Sequence, residues 1–201
     1  MATYLREDEV GHDPNVIGFP TLGSCMGLAV VTANGLYGFH MPPGHENRIG
    51  GFETLYHGHA PLKLLSCCRF AHRYQATGGQ GFLKWLQEIK IFGRAIGYRG
   101  PVLGVDLSSL LGDNTGVIAG GESAYCQFTL MPGGAVSVGA SLTSNTAATT
   151  TIQVGTAIRR LDAAAGRHVP YQSKVISQIA PTPGNTLTAP ANGKALYEFS
   201  L

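Results

Sequence analysis

Cys25 and His40 are the residues whose types and spacing could do chemistry. They lie 15 positions apart in the stretch TLGSCMGLAVVTANGLYGFHMPPG, residues 21–44. A thiol with the ordinary pKa of about 8.5 is a weak nucleophile until it loses its proton. A neighbouring imidazole can take that proton and hold a thiolate–imidazolium pair. Gly23, Ser24 and Gly27 flank the cysteine, and such small residues let backbone N–H groups approach a developing oxyanion. The ordinary alternative is a core thiol, since free cysteine is among the most buried residue types.

The elements that must position this pair form a hairpin. Residues 26–33 have the length and β-branched content of a buried strand. Asn34-Gly35 is the dipeptide that supplies positive φ angles to a tight turn. Residues 36–41 return, and Pro42-Pro43-Gly44 ends the strand. A turn centred on Asn34-Gly35 sets His40 opposite Ala29, with Cys25 beyond it at the hairpin mouth. Contact between the two then needs a bend at Gly23-Ser24 or at Gly27.

Elsewhere the pattern is weaker. Residues 1–15 read as an irregular lead-in, 53–70 as a segment holding a helix, and 82–88 as a short helix or the approach to a strand at 89–92. Residues 103–111 suggest a short helix, and 117–119, 124–131 and 135–142 successive strands between Gly- and Pro-containing turns. Composition changes near residue 143, where a Thr- and Ala-rich connector precedes a helical pattern over 152–165 and a Pro-containing loop over 180–193. No internal repeat is visible.

Composition bounds the fold and the function. With 201 residues, 44% hydrophobic and 13% charged, the chain is long enough for one core and should fold. Its 28 glycines and 11 prolines imply many turns. The expected fold class is α+β: a β-rich mixed sheet or sandwich core with flanking helices. Residues 1–142 are expected to form the principal unit, with 143–201 an extension packed on the same single domain. The net charge of +2 comes without a basic run, which argues against a nucleic-acid partner. No apolar stretch reaches 18 residues, so no membrane-crossing helix is expected. The N-terminal residues are charged early and lack the apolar core of a classical signal peptide. Cys25, Cys67, Cys68 and Cys126 are irregularly spaced, as reduced cytosolic thiols are. Cytoplasmic residence, or secretion without a classical signal, is the expectation. His57, His59, Cys67, Cys68 and His72 match no common zinc spacing, and no metal is expected. Ser24 lacks the Gly-x-Ser-x-Gly elbow of a serine nucleophile.

Leu22-Gly23-Ser24-Cys25, with a histidine 15 residues on, resembles the CheD-like and cytotoxic-necrotizing-factor-like glutamine deamidases. There a short Leu-(Gly/Ser)-(Ser/Gly)-Cys turn carries the nucleophile and a histidine follows on the next strand. GFHMPPG (38–44), KIFGRA (90–95) and VIAGGESAYCQFTLMPGGAVSV (117–138) are similar, in order, to further segments of the CheD branch. The sequence departs from that branch at Arg94 and in lacking an arginine after Gly120-Gly121, and its last 60 residues have no counterpart. The resemblance implies a protein-glutamine deamidase with Cys25 as nucleophile, His40 as base and the backbone near Gly23 and Ser24 as oxyanion donor. It also implies a third group that orients the histidine: Thr21, or the carbonyl of Pro20 or Phe19. It implies no cofactor, and as partner a protein presenting a glutamine, whether the chain is a toxin or effector or a chemoreceptor deamidase. A thiol protease or other amidase, transglutamination by the same thioester, and a non-catalytic binding module on the same fold stay open at this point.

Overall fold

A computed structural model describes residues 3–77, 80–111, 122–144, 172–175, 182–183, 196–199 and 201. In chain order the elements are β1 (Thr3–Tyr4), β2 (Val10–Asp13), β3 (Val16–Leu22), β4 (Met26–Thr32), β5 (Gly35–Met41), α1 (Ile49–Tyr56), β6 (Lys63–Cys68), α2 (Phe70–Arg73) and α3 (Gly81–Ala95). They continue with β7 (Val102–Asp106), α4 (Leu107–Leu111), β8 (Glu122–Leu130), β9 (Val136–Ser144), β10 (Gln172–Val175), β11 (Thr182–Pro183) and β12 (Leu196–Phe199). Two mixed sheets result, one ordered β1-β3-β8-β9-β10 and the other β11-β12-β7-β6-β4-β5-β2. The fold is α+β with a β-rich core.

The larger sheet is the middle layer. Ala29, Val31, Leu65 and Val105 face the smaller sheet and pack on Ile17, Phe19, Cys126 and Phe128. Met26, Leu28, Val30, Phe39 and Leu64 face the other way, against Phe52 of α1 and Trp85, Ile89 and Phe92 of α3. Every residue of β4 and of β5 is buried, which is why their sequence runs apolar instead of alternating. The Trp85 indole N–H also donates to Ser66 Oγ at 3.0 Å, fixing α3 on the sheet.

Several expectations are corrected. Residues 89–92 are not a strand but the interior of α3: Trp85, Ile89, Phe92 and Ile96 recur at helical spacing and all are buried. The segment 53–70 divides, with the helix ending at Tyr56 and β6 following. Residues 103–111 divide, with 103–106 in β7 and the short helix beginning only at Leu107. The N-terminal lead-in carries β1 and β2, which join different sheets. The strand expected at 117–119 and the helix at 152–165 lie outside the described residues. Of the expected loop over 180–193, Thr182–Pro183 is described and pairs in parallel with β12. Beyond residue 143, β10 pairs with β9 and β12 with β7, so this part of the chain adds strands to both sheets.

The hairpin turn differs by one residue from its expected place. Thr32 pairs with Gly35, so Ala33 and Asn34 form the turn and Gly35 alone takes a positive φ, +119°. A Cβ on Gly35 would also lie 2.6 Å from the Asp13 carbonyl oxygen. That displacement puts His40 opposite Gly27, not Ala29. The register moves by two residues, so the sheet face of every side chain is preserved. At Gly27 a Cβ would stand 2.7 Å from both Cys67 Sγ and the Phe19 ring. Gly27→Ala should therefore destabilise the fold by about 1–3 kcal/mol through overpacking, measured as a lower urea midpoint with an unchanged m-value.

Candidate active site

The bare backbone at Gly27 leaves space on the inner face of β4. Phe19 of β3 leans into it and meets the His40 ring edge-on, with centroids 6.0 Å apart. Cys25 lies just before β4, two residues ahead of Gly27, and packs in the same core as Phe19, Ala29 and Cys67. The structure thus brings Cys25 and His40 into one neighbourhood. No hydrogen bond joins them: His40 Nδ1 is bonded to the Leu5 carbonyl oxygen at 2.8 Å, and His40 Nε2 has no partner among the described residues.

The Leu5 carbonyl fixes the tautomer. A carbonyl only accepts, so Nδ1 carries the hydrogen and Nε2 presents its lone pair. The expected orienting group is therefore corrected. Thr21 donates its hydroxyl to the Pro20 carbonyl at 2.7 Å, so both are engaged with each other. Phe19 offers His40 its ring. The segment holding His40 comes instead from the N-terminal loop: Asp8 N–H donates to the His40 carbonyl at 2.9 Å, and His40 N–H donates to the Glu9 carbonyl at 3.0 Å.

Thr21 has a different place in the site. It adopts a φ of +58°, within the bulge where the β3–β8 register shifts between Phe19 and Leu22. A β-branched residue is rarely left-handed, and such strain persists only where surrounding contacts impose it. The bulge re-aims the chain, and the Gly23 N–H then closes the turn on the Thr21 carbonyl at 2.8 Å. Gly23 N–H is thus committed within the turn and is not an oxyanion donor in this conformation. The Ser24 carbonyl accepts a hydrogen bond from Arg73 Nη1 of α2.

Burial sets the protonation of both groups. Cys25 is 5% exposed and His40 fully buried. Desolvation pushes the Cys25 thiol up to about 12, assisted by the negative charges of Glu7 and Asp8 and opposed by Arg73. Desolvation holds His40 down at about 4; the Leu5 hydrogen bond works against it and the Arg73 charge works with it. The resting pair is a neutral thiol beside a neutral imidazole. Cys67, Cys68 and Cys126 are fully buried, so Cys25 is the most accessible of the four cysteines.

Arg73 and Glu88 are the members of this neighbourhood that the sequence reading did not single out. Arg73 Nη2 meets Glu88 Oε2 at 3.1 Å with both side chains buried, and the Tyr74 hydroxyl donates to the same oxygen at 2.6 Å. A usable signal did exist for Glu88, an acidic residue next to the inward-facing Trp85, Ile89 and Phe92 of α3. Two surface cavities lie elsewhere: one of about 320 Å³ beside Lys90, Arg94 and Arg99, another of about 400 Å³ beside Leu62 and Met131. Among the described residues no group of three or more His, Cys, Asp or Glu side chains could hold a metal ion, and no helix is long and apolar enough to cross a membrane. Compared with protein-family models, curated proteins and solved structures, the chain matches none of them.

The buried imidazole has a thermodynamic signature. Above the unfolded-state value of about 6.5, folded and unfolded chains both hold a neutral histidine. As pH falls from there to the folded value of about 4, only the unfolded chain takes up the proton. Stability is lost across that window, by roughly 3 kcal/mol for this group. Urea titrations at pH 7 and pH 4.5 should show the wild type losing more stability than His40→Phe, which has nothing to titrate. Equal losses would show that His40 is not buried as a neutral ring.

Proposed function

We propose that the chain is a protein-glutamine deamidase with Cys25 as nucleophile and His40 as general base. The observation that carries this reading is the buried Nε2 lone pair. Leaving such an atom without a partner costs free energy, and active sites are where such costs recur. Here the orphaned acceptor lies in one neighbourhood with the most accessible cysteine, beside a strained turn. The resemblance of the Leu22–Cys25 turn and of the Cys–His spacing to the glutamine deamidases supports the same assignment.

In this mechanism neither partner is charged at rest, so proton transfer accompanies attack. Cys25 turns about χ1 to bring Sγ toward Nε2. The thiol proton passes to Nε2 as sulfur adds to the carboxamide carbon of a substrate glutamine. The imidazolium is held by its Nδ1–H bond to Leu5. Backbone amides at Ser24 and Cys25 receive the oxyanion, a contribution of about 3 kcal/mol per donor. Collapse breaks the C–N bond, and Nε2–H protonates the leaving amine, which departs as ammonia. Water, deprotonated by Nε2, then hydrolyses the thioester, giving glutamate and restoring the thiol. A protein segment presenting the glutamine is the partner in this reading, and no cofactor takes part.

One observation favours a second reading, a non-catalytic module with Cys25 as a core thiol: the thiol is pushed up to about 12 and makes no hydrogen bond to His40. A glutamine-like peptide carrying a chloromethyl ketone in place of the carboxamide separates the two. Wild-type protein should be labelled at Cys25 alone, and His40→Ala should slow labelling at least a hundredfold, within the range for loss of a general base. Labelling unaffected by His40→Ala would favour the core-thiol reading. With glutamine-bearing peptides, mass spectrometry should record exchange of NH2 for OH by wild type. Cys25→Ser should lack it, and undiminished exchange by that variant would rule out the nucleophile.

A further inference from the structure

The buried cation of α2 does more than its ion pair requires. The Arg73 side chain is 1% exposed and its partner Glu88 7%. Glu88 Oε2 receives both Nε, at 3.2 Å, and Nη2, at 3.1 Å, and the Tyr74 hydroxyl lies 3.2 Å from Nε. These partners sit on or beside α2 and α3 and already balance the charge. The remaining arm, Nη1, reaches out of that cluster to a carbonyl 49 residues away in sequence, that of Ser24, next to Cys25.

That bond fixes a peptide plane. In a trans peptide the C=O and N–H point in opposite directions. With the Ser24 carbonyl held by Arg73, the Cys25 N–H is turned away from the guanidinium. Among the charges acting on the Cys25 thiol, Glu7 and Asp8 oppose ionisation and Arg73 favours it.

We propose that Arg73 is a positioning residue of the Cys25 site, pinning the Ser24–Cys25 peptide so that the Cys25 amide faces an incoming oxyanion while the fixed positive charge stabilises the thiolate as it forms. The inference rests on the Cys–His amidase reading for the first role; the second concerns the thiol alone. Glu88 and Tyr74 hold the guanidinium in place, and Arg73 touches neither substrate nor the reacting atoms.

Two variants test it. R73M/E88L removes both charges together, so no buried ion is stranded, and cooperative urea unfolding checks that it folds. Iodoacetamide at pH 8.5, with Cys25 followed by peptide mapping, should alkylate R73M/E88L about tenfold more slowly than wild type, as a tenfold smaller thiolate fraction requires. An unchanged or faster rate would overturn the electrostatic role. R73K keeps the charge and loses the planar fork. It should alkylate within about threefold of wild type yet turn over glutamine peptide with kcat lowered about tenfold and KM unchanged, the mark of a lost transition-state contact. Wild-type kcat in R73K would overturn the pinning role, and if R73M/E88L fails to fold, R73Q/E88Q, which also removes both charges, takes its place in the alkylation test. Failure of the amidase reading is recognisable separately, as turnover that survives Cys25→Ser, and leaves the alkylation result standing.

Discussion

The pairing of Gly27 with His40 is the constraint on which the rest of the candidate site depends. It follows from a local event, the positive φ of Gly35, which closes the hairpin one residue earlier than an Asn-Gly turn would. Moving the turn by one residue changes the register by two, so His40 keeps its face and comes two positions closer to Cys25. The same register leaves a position without a side chain opposite the imidazole, into which Phe19 and Cys67 pack. A larger residue at position 27 would push back the smaller sheet that encloses the pair.

That enclosure has a cost and a chemical consequence. A buried imidazole needs partners for two nitrogens, and the fold supplies one, the Leu5 carbonyl. Desolvation then disfavours every charged form: thiolate and imidazolium alike are pushed away from neutral pH. On the proposed amidase reading, the site does not hold a preformed ion pair as exposed thiol sites do. It has to develop charge only when substrate adds, where a dry surrounding makes each fixed dipole and the nearby guanidinium more effective. The closed resting pair and the proposed chemistry are compatible on that condition.

The sequence made the hairpin legible because its signals were local: an apolar β-branched run, a turn dipeptide and a proline stop. Face assignment survived the error in the turn, since the error was even in register. Helix α3 was misread where Ile89 and Phe92 fell in a short apolar run, which looks alike in strands and helices until the period through Trp85 and Ile96 is counted. The β-rich class was visible from glycine, proline and repeated short strands; the order of strands in two sheets was not, because β1 and β2 are short and pair into different sheets. In the site, Cys25 and His40 carried a chemical signature, whereas the group orienting His40 is the main-chain carbonyl of Leu5, and a carbonyl leaves no mark on the residue type. Thr21 drew notice for its hydroxyl and matters through its backbone.

The site is thus held from two sides by separate anchors. On one side the N-terminal loop supplies the Leu5 carbonyl and brackets His40 with the Asp8 amide and the Glu9 carbonyl. Asp8 itself stands at a φ of +65°, secured by His45 at 2.9 Å and Arg48 at 2.6 Å. On the other side Arg73 holds the Ser24 carbonyl and is itself held by Glu88. Neither anchor belongs to the hairpin that carries the pair. Hydrogen-bond geometry at His40 and at Cys25 can therefore be disturbed independently, by the loop or by α2, with the hairpin register intact. The negative charges of Glu7 and Asp8 lie on the first side and the Arg73 cation on the second, so displacement of the loop would remove the groups that resist thiolate formation and keep the one that favours it. On the proposed deamidase reading, the loop side is therefore where a bound protein substrate acts on the groups that oppose the thiolate.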